Sequence, residues 1–79
     1  MTTVDARGLA CPLPLALAKR AMDRIGPGDG LIVLATDREA PIDLAAWAAA
    51  DGHAFEECAR DGFSELRLTK SGRSTRDPG

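Results

Sequence analysis

An α+β fold, a two-layer α/β sandwich in the order β-α-β-α-β-β, is what this sequence predicts. Three observations predict it. Apolar residues recur at helical spacing from Pro12 to Ile25, with Leu15, Ala18, Met22 and Ile25 forming one stripe and Lys19, Arg20, Asp23 and Arg24 on the other side. An unbroken apolar run, Leu31 to Thr36, is bounded by turn residues and reads as a strand covered by helices or by neighbouring strands. After the hairpin signal Asp61-Gly62, the segment Glu65 to Lys70 alternates, with Leu66 and Leu68 on one face and Glu65, Arg67 and Thr69 on the other.

The elements follow in order. Thr2 to Ala6, with β-branched Thr3 and Val4, is a first strand, and Arg7 to Ala10 leads out of it. The helix from Pro12 to Ile25 ends at Gly26-Pro27-Gly28-Asp29-Gly30. After the strand at Leu31 to Thr36, Asp37 is placed to cap a second helix with Pro41 in its first turn. That helix runs through the alanine-rich stretch Leu44 to Ala50 and stops at Asp51-Gly52. His53 to Arg60 is a weaker strand whose alternation is blurred by Glu56, Glu57 and Cys58. The last hairpin completes a four-stranded mixed sheet with two helices on one face. The first β-α-β unit takes a right-handed crossover. Residues 1–70 form one domain. The tail from Ser71 to Gly79 has no apolar residue and is expected to be disordered.

Composition narrows the function. With 79 residues there is one small core and no room for a large pocket, so chemistry is expected on an exposed element shared with a partner. A net charge of −2 argues against a nucleic-acid binder, and the few aromatic residues (Phe55, Phe63 and Trp47) argue against base stacking. No apolar run spans a membrane and no signal peptide precedes the domain, which makes the cytoplasm the expected compartment. Two cysteines outside any C-x-x-C pair and a single histidine, His53, are too few for a structural zinc site. No metal or other cofactor is expected.

The chemistry lies in Cys11-Pro12-Leu13-Pro14. Cys11 is predicted at the N-cap of the first helix, with Pro12 as its first residue and Pro14 in the same turn, where missing N–H groups cost nothing. Two prolines stiffen the turn and aim the sulfur. The helix N-terminus is expected to stabilise a thiolate or persulfide anion there and to acidify the thiol. Cys58 reads as an incidental strand residue rather than a resolving thiol, and His53 as structural rather than a base. Trp47 reads as packing within the second helix. Lys19 and Arg20 read equally as a solvated face and as an electrostatic docking site. Asp37 reads as either a helix cap or a partner contact, and a cap does not exclude a contact.

The string Asp5-Ala6-Arg7-Gly8-Leu9-Ala10-Cys11-Pro12-Leu13-Pro14 resembles the D-x-x-G-x-x-C-P-x-P signature of the TusA/SirA family of small sulfur carriers. The likeness continues through Pro27-Gly28-Asp29, Asp37, Asp43-Leu44, Gly52-His53 and Asp61-Gly62, and covers roughly Val4 to Lys70. It implies a cysteine that accepts sulfane sulfur as a persulfide and relays it to a partner protein. Cys11 takes that role, while Gly8, Pro12 and Pro14 belong to the presenting motif. It further implies a cysteine desulfurase or rhodanese, or a thiosulfate-handling protein, as donor, and a DsrE-type or other relay protein as acceptor. The destinations are tRNA thiolation, molybdenum cofactor assembly or sulfur oxidation. Lys19, Arg20 and Asp37 are the expected partner contacts. The chain departs from the family at Asp23, where several members are basic, and at Arg38, where many have proline. Two alternatives stand beside the carrier. A stand-alone thiol redox or thiosulfate-handling enzyme lacks a second cysteine beside Cys11, and a regulatory adaptor would not need an intact C-P-x-P.

Overall fold

The computed structural model describes residues 2–70, and the tail expected to be disordered over 71–79 lies outside the described residues. The elements are β1 (Thr2–Ala6), α1 (Leu13–Met22), β2 (Gly30–Ala35), α2 (Glu39–Asp51), β3 (Ala54–Arg60) and β4 (Phe63–Thr69). This is the α+β order expected. The sheet order is β1-β2-β4-β3. β1 and β2 are parallel, and β4 runs antiparallel to both β2 and β3. The hairpin strand β4 therefore inserts between β2 and β3, and α2 crosses over it.

Both helices pack on one face of the sheet. Ala6, Leu31, Val33, Ala35, Leu66 and Leu68 from the strands meet Ala18 and Met22 of α1 and Ala40, Leu44 and Ala48 of α2 in one core. The helical residues are spaced by four, so each helix buries a narrow stripe. Three of those five positions are alanine, which lets the helices lie close to the sheet. Pro14 is also fully buried, so it packs as well as stiffens. The apolar run of β2 is covered on one side only: Ile32 and Leu34 lie on the opposite, open face, beside Arg67 and Glu65 of β4.

The helix ends differ from the expected ones by a few residues. α1 stops at Met22 rather than Ile25, because residues 23–29 turn ahead of Pro27 and the glycines around it. Lys70 closes that end by donating to the carbonyls of Met22 and Ile25, at 3.0 and 2.8 Å. α2 ends at Gly52, whose φ of 79° is left-handed and suits only glycine without strain. The His53 N–H then donates to the Ala48 carbonyl at 2.8 Å.

Candidate functional site

The parallel pairing of β1 with β2 decides where the cysteine lies. Ala6 pairs with Ala35, so both chains leave the sheet side by side at the same edge. The loop after β1 is tied to the loop after β2 twice. The Gly8 N–H donates to Thr36 Oγ1 at 2.9 Å, and the Cys11 N–H donates to Asp37 Oδ2 at 2.7 Å. Gly8 has a φ of 82°, which a side chain would strain, and this accounts for the glycine of the motif. Arg7 holds the start of the loop. It pairs with Asp5 at 2.9 Å and lies over the Phe63 ring, 5.4 Å from its centroid.

Cys11 is exposed and sits in a turn closed by the Leu13 N–H donating to the Ala10 carbonyl at 2.9 Å. The helix begins one residue later than the sequence predicts: Pro12 is the N-cap and Leu13 the first helical residue, with Pro14 second. Asp37 likewise precedes the α2 N-cap, which is Arg38, and still accepts the Glu39 N–H through Oδ1 at 3.3 Å. One Asp37 carboxylate thus joins the start of α2 to the backbone of Cys11.

The sulfur meets a residue that the sequence reading left out of the site. Cys11 Sγ–H donates to Asp43 Oδ2 at 2.9 Å. Asp43 lies one turn after Glu39 on α2, so both carboxylates face the cysteine loop. The thiol is consequently pushed up from its ordinary 9.0 to about 11. The hydrogen bond to Asp43 is the largest cause; desolvation and then the charges of Asp43, Asp37 and Glu39 add to it. This overturns the expected acidification. Cys11 is set back from the first free N–H groups of α1, and the nearby carboxylates of α2 outweigh a partial helix charge. Asp43-Leu44 had stood out only as a motif pair, and a separation of 32 residues from Cys11 gives no local signal.

The other candidates are placed elsewhere. Lys19 and Arg20 occupy the last turn of α1. At 1.5 Å rise per residue they lie about 10 Å along the axis from its start. Arg20 lines a cleft between α1 and β1 with Val4, Leu17, Ala21 and Arg24. Cys58 is half-buried on the open sheet face, opposite Glu65, whereas Cys11 faces α2 on the helical side. Among the described residues two large apolar side chains are exposed, Leu13 at 50% and Ile42 at 63%, and they are chain neighbours of the Cys11 turn and of Asp43. Trp47 anchors α2 by donating to Asp51 at 2.9 Å and meets His53 edge-on at 5.4 Å.

Comparison with known proteins agrees with this architecture. The family model described as Sulfurtransferase TusA matches residues 2–70. YrkI of Bacillus subtilis is 44% identical over 59 residues, covering 75% of this chain and 79% of that protein. The protein named sulfur carrier protein TusA in Allochromatium vinosum is 37% identical over 59 residues, covering 75% and 78%. The crystal structure of a SirA-like protein from Desulfitobacterium hafniense superposes with a TM-score of 0.84 at 30% identity, over 90% of this chain and 99% of that one. The family match spans every element from β1 to β4, including the Cys11 turn and the start of α2, and the chain belongs to the TusA family.

Proposed function

We propose that this chain is a sulfur carrier that holds sulfane sulfur as a persulfide on Cys11 and delivers it to a partner protein. The observation that carries the reading is the exposed Cys11 thiol, fixed through its own N–H to Asp37 and presented ahead of a proline-stiffened helix start. The family match and the name of the Allochromatium vinosum relative support it. The transfer is nucleophilic: a thiol takes a sulfane sulfur from a donor persulfide, and the outer sulfur later passes to a partner thiol. A desulfurase or rhodanese fits the donor, and a DsrE-type relay protein fits the acceptor. The destination lies among tRNA thiolation, molybdenum cofactor assembly and sulfur oxidation, with the cytoplasm as the compartment. Partner docking centres on the sulfur, with Asp37, Leu13 and Ile42 near it and Lys19 and Arg20 at the rim.

The test is an intact mass after incubation with a cysteine desulfurase and cysteine. The unmodified chain and Cys58→Ser gain one sulfur atom, and Cys11→Ser gains none. Loading that survives Cys11→Ser sinks the reading.

A further inference from the structure

Asp43 has no role in the carrier reading, yet it is the group in contact with the reacting sulfur. Its Oδ2 lies 2.9 Å from Cys11 Sγ and accepts the thiol proton's hydrogen bond. It stands on α2, and its backbone is fixed by a helix that buries Ala40, Leu44 and Ala48 around it. The sulfur is exposed on its other side, where a donor can approach. The charged groups acting on the sulfur are Asp43 and Glu39 from α2 and Asp37 from the loop before it, all acidic. The basic pair of α1, Lys19 and Arg20, stands at the far end of that helix.

We propose that Asp43 is the proton acceptor of sulfur uptake, taking the Cys11 proton as the sulfur attacks its donor. This deepens the carrier reading and rests on it. A nucleophile must shed its proton to attack, and a base within hydrogen-bond reach removes it without a free thiolate ever accumulating. On uptake the proton passes to Asp43 Oδ2 while Sγ attacks the outer sulfur of a donor persulfide anion. A new S–S bond forms at Cys11, the donor's S–S bond breaks, and its inner sulfur leaves with the bonding pair as a thiolate. The donor is reduced to a thiolate and Cys11 is oxidised to a persulfide, so no outside electron carrier is needed. The proton passes on to solvent. On delivery a partner thiolate attacks the outer sulfur, Sγ leaves with the bonding pair, and the Cys11 thiolate takes a proton from solvent. At neutral pH the resting sulfur is a thiol, held so chiefly by Asp43 itself, and the same carboxylate is in place to take the proton as the sulfur attacks.

The experiment follows sulfur uptake from inorganic polysulfide by rapid quenching and intact mass, from pH 6 to pH 9, in the unmodified chain and in Asp43→Asn, Asp43→Glu and Cys11→Ser. Taking each variant's rate relative to the unmodified chain at the same pH cancels the ionisation of the polysulfide. For Asp43→Asn, which must wait for free thiolate, that ratio rises about tenfold per pH unit below the thiol midpoint. For Asp43→Glu it stays level, because a carboxylate still reaches the proton. Uptake by the unmodified chain also slows in deuterium oxide, a readout that does not depend on any variant folding. A level ratio for Asp43→Asn, or an unmodified rate unchanged in deuterium oxide, overturns the role of Asp43 even when Cys11→Ser gains nothing. A mass gain in Cys11→Ser instead overturns the carrier reading beneath it.

Discussion

On the open face of the sheet, Glu65 lies between two arginines, 2.9 Å from Arg60 and 2.6 Å from Arg67. Beside the cysteine turn, Asp37, Glu39 and Asp43 converge from α2 and the loop before it, and no ion pair among the described residues reaches them. The first region answers its own charge within two strands. Its carboxyl is held below the usual range, by Arg67 first and Arg60 second. The second leaves negative charge uncompensated around an exposed sulfur and passes the consequence to the thiol, which rises to about 11. The difference separates charge used for folding from charge kept for chemistry. A sheet face can neutralise itself through register alone, whereas an acidic cluster persists at a site that needs a proton acceptor or a cationic partner.

The strongest way to break this contrast is to remove one carboxylate from each region and titrate Cys11 by its alkylation rate against pH. Asp43→Asn brings the midpoint down from about 11 towards the ordinary 9.0. Asp43 is the largest cause, so the thiolate fraction at neutral pH rises, with an upper bound of about a hundredfold for the full two units. Glu65→Gln leaves the midpoint where it was. An Asp43→Asn midpoint that stays at about 11 shows that the other carboxylates and desolvation dominate the thiol.

Partner transfer gives the next largest effect. Leu13→Ser, Ile42→Ser and Asp37→Lys each slow delivery to a docked acceptor by about 5- to 30-fold, the range of a moderately important interface residue. Arg20→Glu at the rim slows it less and makes it more salt-sensitive. Chemical loading by polysulfide is unaffected by Leu13→Ser, Ile42→Ser or Arg20→Glu. Arg67→Gln, on the open face, leaves delivery unchanged. Slower delivery after Arg67→Gln places the docking surface on the sheet instead of around the sulfur.

How far the sequence carries a reader differs between these regions for physical reasons. The stripe of α1 and the alternation of β4 are periodic and local, so both were legible. The approach of Asp37 to Cys11 was legible too, because parallel strands joined by a crossover end at the same edge, and Ala6 opposite Ala35 makes it so. The insertion of β4 between β2 and β3 was not, since strand pairing across α2 leaves no trace in spacing. The sign of the thiol shift was missed for a related reason. The helix dipole is read from Pro12 and Pro14, but the carboxylate that outweighs it arrives from another helix, and its facing depends on how α2 packs.

Lys70 is a charge used for folding that lies in neither region. Its ammonium donates to two carbonyls at the end of α1, where free carbonyls and the helix dipole both favour a cation. Lys70→Met keeps the chain length and removes both bonds. It lowers stability by about 1.5–3 kcal/mol, the range for hydrogen bonds to a charged group. For a domain of this size that is a fall in Tm of about 4–8 °C per kcal/mol, read by thermal melting. Sulfur loading of Cys11 is unchanged. A melting curve that does not move shows that solvent satisfies those carbonyls equally well.

The smallest effects are in the pH dependence of stability, and there the two regions should act in opposite directions. The Glu65 carboxyl is depressed in the folded chain. Its contribution is present above its unfolded pKa and is lost as pH falls through the lower folded value, so it acts in acid, below about 4.5. The Cys11 thiol is raised. Its contribution is complete below its unfolded pKa, near 9.0, and is lost as pH rises through about 11. Urea melts across both windows separate them. Glu65→Gln flattens the acid limb and leaves the alkaline one, while Cys11→Ser flattens the alkaline limb and leaves the acid one. Cys11 is exposed, and the arginines paired with Glu65 are about half exposed although Glu65 itself is only 13% exposed, so added salt shrinks both limbs, the acid one less. An alkaline limb that survives Cys11→Ser belongs to other groups, and the acidic cluster then bears on the reactivity of the sulfur without bearing on the fold.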